Sequence, residues 1–140
     1  MTFPSRADYE ALVYSIPENY PEHIQSSTLR LYSRSALAVV VEGEIRFLNG
    51  LVLKIREFLD FKQKRIVDYS YTVYQGEKKI RWYDPQPHPE IEILAATFPH
   101  HFHEEPDIKH NRKPAPGITF SAPNLPVLVE ACAQLGERSG

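Results

Sequence analysis

Histidine is concentrated in one short stretch of this sequence. The segment 97–110, TFPHHFHEEPDIKH, contains four of the six histidines: His100, His101, His103 and His110. A fifth, His88, lies just upstream in YDPQPHPE. Histidine exchanges protons near neutral pH and is a common metal ligand, so the cluster favours an acid–base site or a metal site. A third interpretation is a polar loop, or part of a protein interface, without chemistry.

The acid–base interpretation draws on a group of residues just before this segment. Arg81, Tyr83, Asp84 and His88 lie within eight positions, at the end of a predicted strand. In such a site Arg81 would hold a phosphate, one histidine would act as base and another as acid, and Asp84 would orient one of them. Such a site could cleave RNA. The substrate's own 2′-hydroxyl would act as the nucleophile, and no metal would be needed. The predicted catalytic residues are Arg81, Asp84, His88, His100, His101 and His103.

The metal interpretation relies on His-x-His spacing. His101 and His103, or the adjacent His100 and His101, could supply zinc or nickel ligands, with His88 or His110 completing the site. The sequence has no His-Glu-x-x-His motif, and Cys132 is the only cysteine, so it lacks the common zinc patterns. The residues therefore predict no metal and no other cofactor, with a histidine-ligated metal protein as an alternative.

Charge is distributed unevenly along the chain. The formal net charge is −2, yet residues 46–81 hold nine Lys/Arg against four Asp/Glu, and both flanking regions are acidic. A basic surface attracts a polyanion such as RNA or an acidic partner protein. A solvent-exposed sheet face with no partner is the other interpretation.

Length and composition predict one domain, residues 1–140. Hydrophobic residues make up 42% and charged residues 24% of the chain, as in soluble globular proteins. The longest apolar runs are far shorter than the roughly 20 residues of a membrane span. The N-terminus contains acidic residues and no continuous apolar segment, so no signal peptide is expected. A cytoplasmic protein without membrane contact is predicted.

A helix is predicted at each end of the chain. The first begins after Pro4 with apolar residues at helical spacing and stops at Pro17. The last occupies NLPVLVEACAQLGERSG, with Pro126 in its first turn and Gly136 at its stop.

Between these helices the pattern is that of β-strands. Asn49 and Gly50, between EIRFL and LVLKI, predict a hairpin whose two turn residues both have positive φ. Further turns at FKQKR and QGEKK lead into IVDYSYTVY and IRWYD. The prediction is an α+β fold: an antiparallel meander of four to five strands with both helices packed on its apolar face. Val67, Tyr69, Tyr71 and Val73 are expected to share one face. The opposite face is expected to carry Arg46, Lys54, Arg56 and Arg81.

The region 84–126 is predicted to be an irregular proline- and histidine-rich segment. Nine of the twelve prolines lie in it, and proline interrupts both helices and strand ladders. Phe98 and Phe102 are expected to pin the segment 97–110 against the end of the strand that carries Arg81 and Asp84.

Taken in order, these segments resemble a known family. The LNG hairpin, DYSYTVY, IRWYDPQPHPE, TFPHHFH and NLPVLVE are similar to the TumE-type proteins of bacterial and archaeal toxin–antitoxin loci. The resemblance extends from about Asp8 to Leu135. Its most specific parts are Tyr69-x-Tyr71, Arg81-x-Tyr83-Asp84, His88-Pro89 and Pro99-His100-His101-x-His103.

The resemblance implies a prokaryotic toxin encoded beside an antitoxin. The expected partners are that cognate antitoxin, RNA and a second copy of the chain in a homodimer. The leading prediction is a metal-independent endoribonuclease, and the alternative is a non-catalytic binding protein that uses the basic sheet face and the histidine segment. Lys109 and His110 lie in DIKHNRKPAP, which resembles only a subgroup. The predicted substrate-binding residues are Arg46, Lys54, Arg56, Tyr69, Tyr71, Tyr83, Lys109 and His110.

Overall fold

An antiparallel sheet of eight strands, with helices at both ends of the chain, forms the α+β fold. The computed structural model describes residues 2–87 and 90–138. The elements are, in chain order, α1 (Arg6–Tyr14), α2 (Ile16–Asn19), β1 (Ile24–Ser27), β2 (Arg30–Ser33), β3 (Ala38–Phe47), β4 (Leu51–Asp60), β5 (Arg65–Gln75), β6 (Lys78–Asp84), a 3-10 helix (Glu92–Thr97), β7 (His101–Glu104), β8 (Arg112–Pro114) and α3 (Leu125–Arg138). None of the helices in the described part of the chain is long and apolar enough to span a bilayer.

The strand order is β1-β3-β4-β5-β6-β7-β8, and β2 also pairs with β3. The predicted α+β class and antiparallel pairing are confirmed, but the predicted number of four to five strands is too low. Strands β7 and β8 lie in the region 84–126, which was expected to be irregular. Here the prolines bracket the strands: Pro99 and Pro106 flank β7, and Pro114 ends the edge strand β8. An edge position tolerates proline because its missing N–H costs no ladder hydrogen bond.

The predicted hairpin between β3 and β4 is present, with a different turn. Three residues, 48–50, connect the strands, and the Gly50 amide donates to Phe47 O at 3.0 Å. Gly50 has φ +92°, whereas Asn49 does not have positive φ. The Asn49 side chain instead donates to the Cys132 carbonyl of α3 at 3.1 Å. This asparagine therefore ties the turn to the last helix.

A bulge in β5 changes which side chains face the core. Leu59 of β4 pairs with Ile66, whereas Phe58 pairs with Asp68, so one residue of β5 is left over between them. Ile66 is buried as a result, and Val67 is 48% exposed. The expectation that Val67 shares a face with Tyr69, Tyr71 and Val73 is therefore wrong for Val67.

Helices α1 and α3 cover the same face of the sheet. Tyr9 of α1 and Leu128 of α3 are fully buried and belong to one apolar cluster with the inward side chains of the central strands. The helix ends differ from the prediction. Pro17 lies in the first turn of the short α2 rather than ending all helical structure, and α3 continues through Gly136.

Candidate functional site

Asp84, His101 and His103 form a cluster where β6 pairs with β7. Asp84 lies opposite His101, and Trp82 lies opposite His103, so these four side chains point to the same face of the sheet. The Nε2 atoms of the two histidines are 3.1 Å apart. His103 Nε2 is 3.1 Å from Asp84 Oδ2, and His101 Nε2 is 3.2 Å from Asp84 Oδ1. The segment 97–110 does return to the end of β6, and it does so as a paired strand.

Backbone carbonyls hold both imidazole rings in place. His101 Nδ1 is 3.1 Å from Pro99 O, and His103 Nδ1 is 3.1 Å from Lys109 O. A carbonyl oxygen only accepts hydrogen bonds, so each Nδ1 carries a hydrogen. In its neutral form each histidine therefore presents the lone pair of Nε2 to the cluster.

The cluster is buried and its carboxylate is anchored. His101 and His103 are 1% and 3% exposed. Burial lowers the pKa of His103, although the Asp84 carboxylate acts in the opposite direction. Asp84 Oδ1 also accepts the Gln86 amide at 2.7 Å. Three polar groups are thus fixed in a buried site.

Three residues that the sequence analysis missed flank the cluster. The Trp82 ring stacks on His103 with centroids 4.7 Å apart, and Lys79 Nζ lies 5.4 Å from the centroid of the Trp82 ring. Arg112 of β8 lies opposite His103, and its buried Nε has no hydrogen-bond partner among the described residues. The period-two alternation from Asp84 along β6 would have identified Trp82. Nothing in the sequence shows that β8 pairs with β7.

A continuous row of side chains connects the cluster to the basic middle of the chain. Lys54 lies opposite Thr72, Thr72 opposite Trp82, and Trp82 opposite His103. Paired residues of antiparallel strands point to the same face. With neighbouring strands roughly 4.8 Å apart, the row from Lys54 to His103 spans about 14 Å of one surface. We call this the outer face, since the helices cover the opposite one.

The predicted basic residues of the outer face are present but partly neutralised. Arg46 and Lys54 lie 3.2 and 3.9 Å from the Glu44 carboxylate, and Arg56 lies 3.9 Å from the Glu42 carboxylate. Lys54 and Arg56 line an open groove of about 620 Å³. Its positive field is weaker than the count of cations suggests, because two carboxylates lie among them.

Arg81 is not on the outer face, contrary to the prediction. It lies opposite Val73 and Glu104, on the face that the helices cover. Its Nη2 is 3.0 Å from Glu104 Oε2, its Nη1 donates to Tyr83 Oη at 3.2 Å, and it is 8% exposed. Neighbouring residues of a strand point to opposite faces, so Arg81 points away from the side on which Trp82 lies. The structure does not bring Arg81 to the cluster.

His100 lies beside the cluster but faces other partners. Its Nδ1 is 2.5 Å from Tyr69 Oη, and its ring packs on Tyr69 and Phe120 with centroid distances of 5.7 and 4.6 Å. Burial lowers the pKa of His100, and nearby His101 lowers it further. His100 and Tyr69 are both buried and face the hydrophobic core.

Besides Tyr69, which is also buried, the other two predicted substrate-binding tyrosines are core residues. Tyr71 and Tyr83 are 0% and 5% exposed. Tyr71 Oη donates to Glu57 Oε2 at 2.5 Å, and Tyr9 Oη donates to Glu57 Oε1 at 2.8 Å. Asn124 Nδ2 donates to Tyr71 Oη at 3.0 Å. Burial raises the pKa of Glu57, a residue that the sequence analysis did not single out.

The remaining predicted site residues are spread out. The Lys109 side chain is exposed, and only its carbonyl reaches the cluster, through His103. His110 is exposed and lies 3.1 Å from Asp107. His88 lies outside the described residues.

The fold and the cluster define an α+β protein with two histidines and one carboxylate gathered beside a partly basic sheet face. The chain belongs to the family described as toxin TumE, whose family model matches residues 14–135. No curated protein and no solved structure matches the chain.

Proposed function

We propose that this protein is the toxin of a toxin–antitoxin pair and that it cleaves RNA at the Asp84–His101–His103 cluster. Membership of the TumE family supports the toxin role. The observation that carries the proposal is the convergence of two imidazole Nε2 atoms and a carboxylate within 3.2 Å of one another. Titratable groups brought together in this way are typical of catalytic sites.

The outer face supports RNA as the substrate. A strand of RNA laid along the row from Lys54 to His103 would pass Trp82, on which a base could stack. Arg112 would hold a phosphate beside the cluster, in the role that the sequence analysis gave to Arg81, and Lys79 would add positive charge. Both residues lie against Trp82 or His103.

Cleavage would use the ribose 2′-hydroxyl as nucleophile. In the metal-independent form, one histidine Nε2 takes the 2′-hydroxyl proton as this oxygen bonds to phosphorus. The bond from phosphorus to the 5′-oxygen breaks, and the second histidine, as imidazolium, gives its proton to that oxygen. Asp84 would balance the positive charge of the imidazolium. The products are a 2′,3′-cyclic phosphate and a 5′-hydroxyl end.

Expression of the chain alone in a bacterial host tests this proposal. Growth arrest that is relieved by the neighbouring gene is the expected result, and Asp84→Asn should abolish the arrest. His23→Gln is the matched control. His23 directly precedes β1, which lies at the opposite end of the strand order from β7, so this variant should leave the arrest unchanged. RNA from arrested cells should carry new 5′-hydroxyl ends. Arrest that survives Asp84→Asn would contradict catalysis at this cluster.

A non-catalytic binding protein is the second candidate. The burial of His101 and His103 favours it, because a buried pair is hard for a polymer to reach. In that case toxicity would persist in Asp84→Asn and fall when Lys54 and Arg56 are replaced together by Gln. In either case we expect the protein to bind the antitoxin and RNA in the cytoplasm. The homodimer stays a prediction.

A further inference from the structure

The three polar groups of the cluster have the spacing of ligands around one metal ion. His101 Nε2 lies 3.1 Å from His103 Nε2 and 3.2 Å from Asp84 Oδ1, and His103 Nε2 lies 3.1 Å from Asp84 Oδ2. One ligand atom from each of the three residues lies within 4.8 Å of the others. Bonds of about 2.0–2.2 Å to a tetrahedral or octahedral ion place neighbouring ligand atoms about 3.0–3.5 Å apart. The observed separations therefore match an ion shared by the two Nε2 atoms and both carboxylate oxygens of Asp84.

The hydrogen bonds of both imidazoles direct their Nε2 lone pairs towards the centre of the cluster. Pro99 O and Lys109 O take the Nδ1 hydrogens, so two neutral imidazoles turn their lone pairs towards each other and towards a carboxylate. Three acceptors facing one another repel unless a proton or a cation lies between them. A metal ion bound to the two Nε2 atoms and the carboxylate would offset this repulsion.

The carbonyl contacts are also those expected around metal-bound histidine. A ligating histidine usually donates its other ring N–H to a carbonyl or carboxylate, which fixes the ring and its tautomer. Both histidines do this, and Asp84 is held by the Gln86 amide, which donates to its Oδ1. Asp84 and Trp82 also line a cavity of about 480 Å³.

We propose that Asp84, His101 and His103 bind one divalent first-row transition-metal ion, such as zinc, manganese, iron, cobalt or nickel. Two imidazole nitrogens and one carboxylate suit these ions, whereas calcium and magnesium prefer oxygen ligands. The site stands independently of the proposed RNA cleavage. If both hold, the cleavage depends on the metal and differs from the metal-independent mechanism.

Cobalt titration of the full-length, tag-free protein after chelator treatment tests the site. Trp82 is the only tryptophan and stacks on His103, so paramagnetic Co²⁺ bound to His103 should quench its fluorescence. We expect saturation at one equivalent, together with visible absorbance bands of coordinated Co²⁺. His103→Gln and Asp84→Asn should each weaken the binding by about tenfold or more, and His23→Gln should not.

A thermal melt separates binding from folding. Co²⁺ should raise the melting temperature of the parent protein and of His23→Gln, because an ion that binds only the folded state stabilises it. The same concentration should raise the melting temperature of Asp84→Asn by less than that of the parent protein. Absence of one-equivalent binding in the folded parent protein, or equal binding by Asp84→Asn, would overturn the metal site. Neither result depends on whether the protein cleaves RNA.

Discussion

Arg81 and Glu104 face each other across β6 and β7, with Arg81 Nη2 3.0 Å from Glu104 Oε2. The pair lies on the helix-covered face, and the guanidinium carbon is 4.1 Å from the centroid of the Phe102 ring. This arrangement gives Arg81 a role in holding β7 to the sheet. It separates Arg81 from the chemistry that its sequence neighbours suggested.

Replacing Arg81 should therefore affect stability. We expect Arg81→Met to lower the free energy of unfolding by about 1–3 kcal/mol, because it removes hydrogen bonds to Tyr83 and Glu104 in a buried place. Urea unfolding measures this. Arg46→Met is the matched control: Arg46 forms an exposed pair with Glu44, and loss of this pair should cost about 0–1 kcal/mol. Equal losses for both variants would contradict the buried role.

The carboxyl of Glu57 should make stability depend on pH. Burial raises its pKa, so over an interval above about pH 4.3 the folded state keeps a proton that the unfolded chain has lost. The free energy of unfolding should then decrease as pH rises from about 4.3 to the folded-state pKa. Glu57→Gln should remove this part of the slope in urea unfolding between pH 4 and 8.

Exposed Glu77 provides the control for Glu57. Glu77→Gln should leave the pH dependence as it is in the parent protein, because Glu77 is on the surface. Glu57→Ala should lower the free energy of unfolding by about 1–3 kcal/mol at all these pH values, because Tyr9 and Tyr71 lose their acceptor. If Glu57→Gln leaves the slope of the free energy of unfolding against pH unchanged, a group other than Glu57 causes that slope.

The stacking of Trp82 on His103 should make fluorescence report the charge of the cluster. Burial lowers the pKa of His103, so in metal-free protein the emission should change only below about pH 6.5, where the ring takes a proton. The unfolded chain takes that proton first, so the free energy of unfolding should fall as pH falls through this range. His103→Asn should abolish the fluorescence change, and His23→Gln should retain it. A transition above pH 7 would contradict the assignment.

Gly136 should resist the alanine substitution that usually stabilises a helix. A Cβ at this position would lie 1.9 Å from Asn49 Nδ2, so Gly136→Ala must displace the side chain that bonds Cys132 O. We expect the melting temperature to fall, although alanine in a helix interior is favoured over glycine by about 1 kcal/mol. In an Asn49→Ala background the same change should be neutral or stabilising. An additive double-mutant cycle would show that the two residues do not interact.

The sequence by itself determined the elements whose signals are local. Alternating apolar residues and the turn at Gly50 were enough to predict the antiparallel strands 38–84 and the helices at both ends. The concentration of histidine near Asp84 was also visible, because residue type requires no fold. Proline density misled the prediction for β7 and β8, since a proline stops a strand only at its own position.

Only the tertiary structure decided which side chains meet. Strand pairing placed His101 and His103 on the face of Asp84 and put Arg81 on the other face, and a shift of one residue would exchange the two sets. The same pairing brought Arg112 beside His103 from a strand too short to predict. The physical reason is that register depends on contacts between distant segments. Local spacing alone cannot specify it.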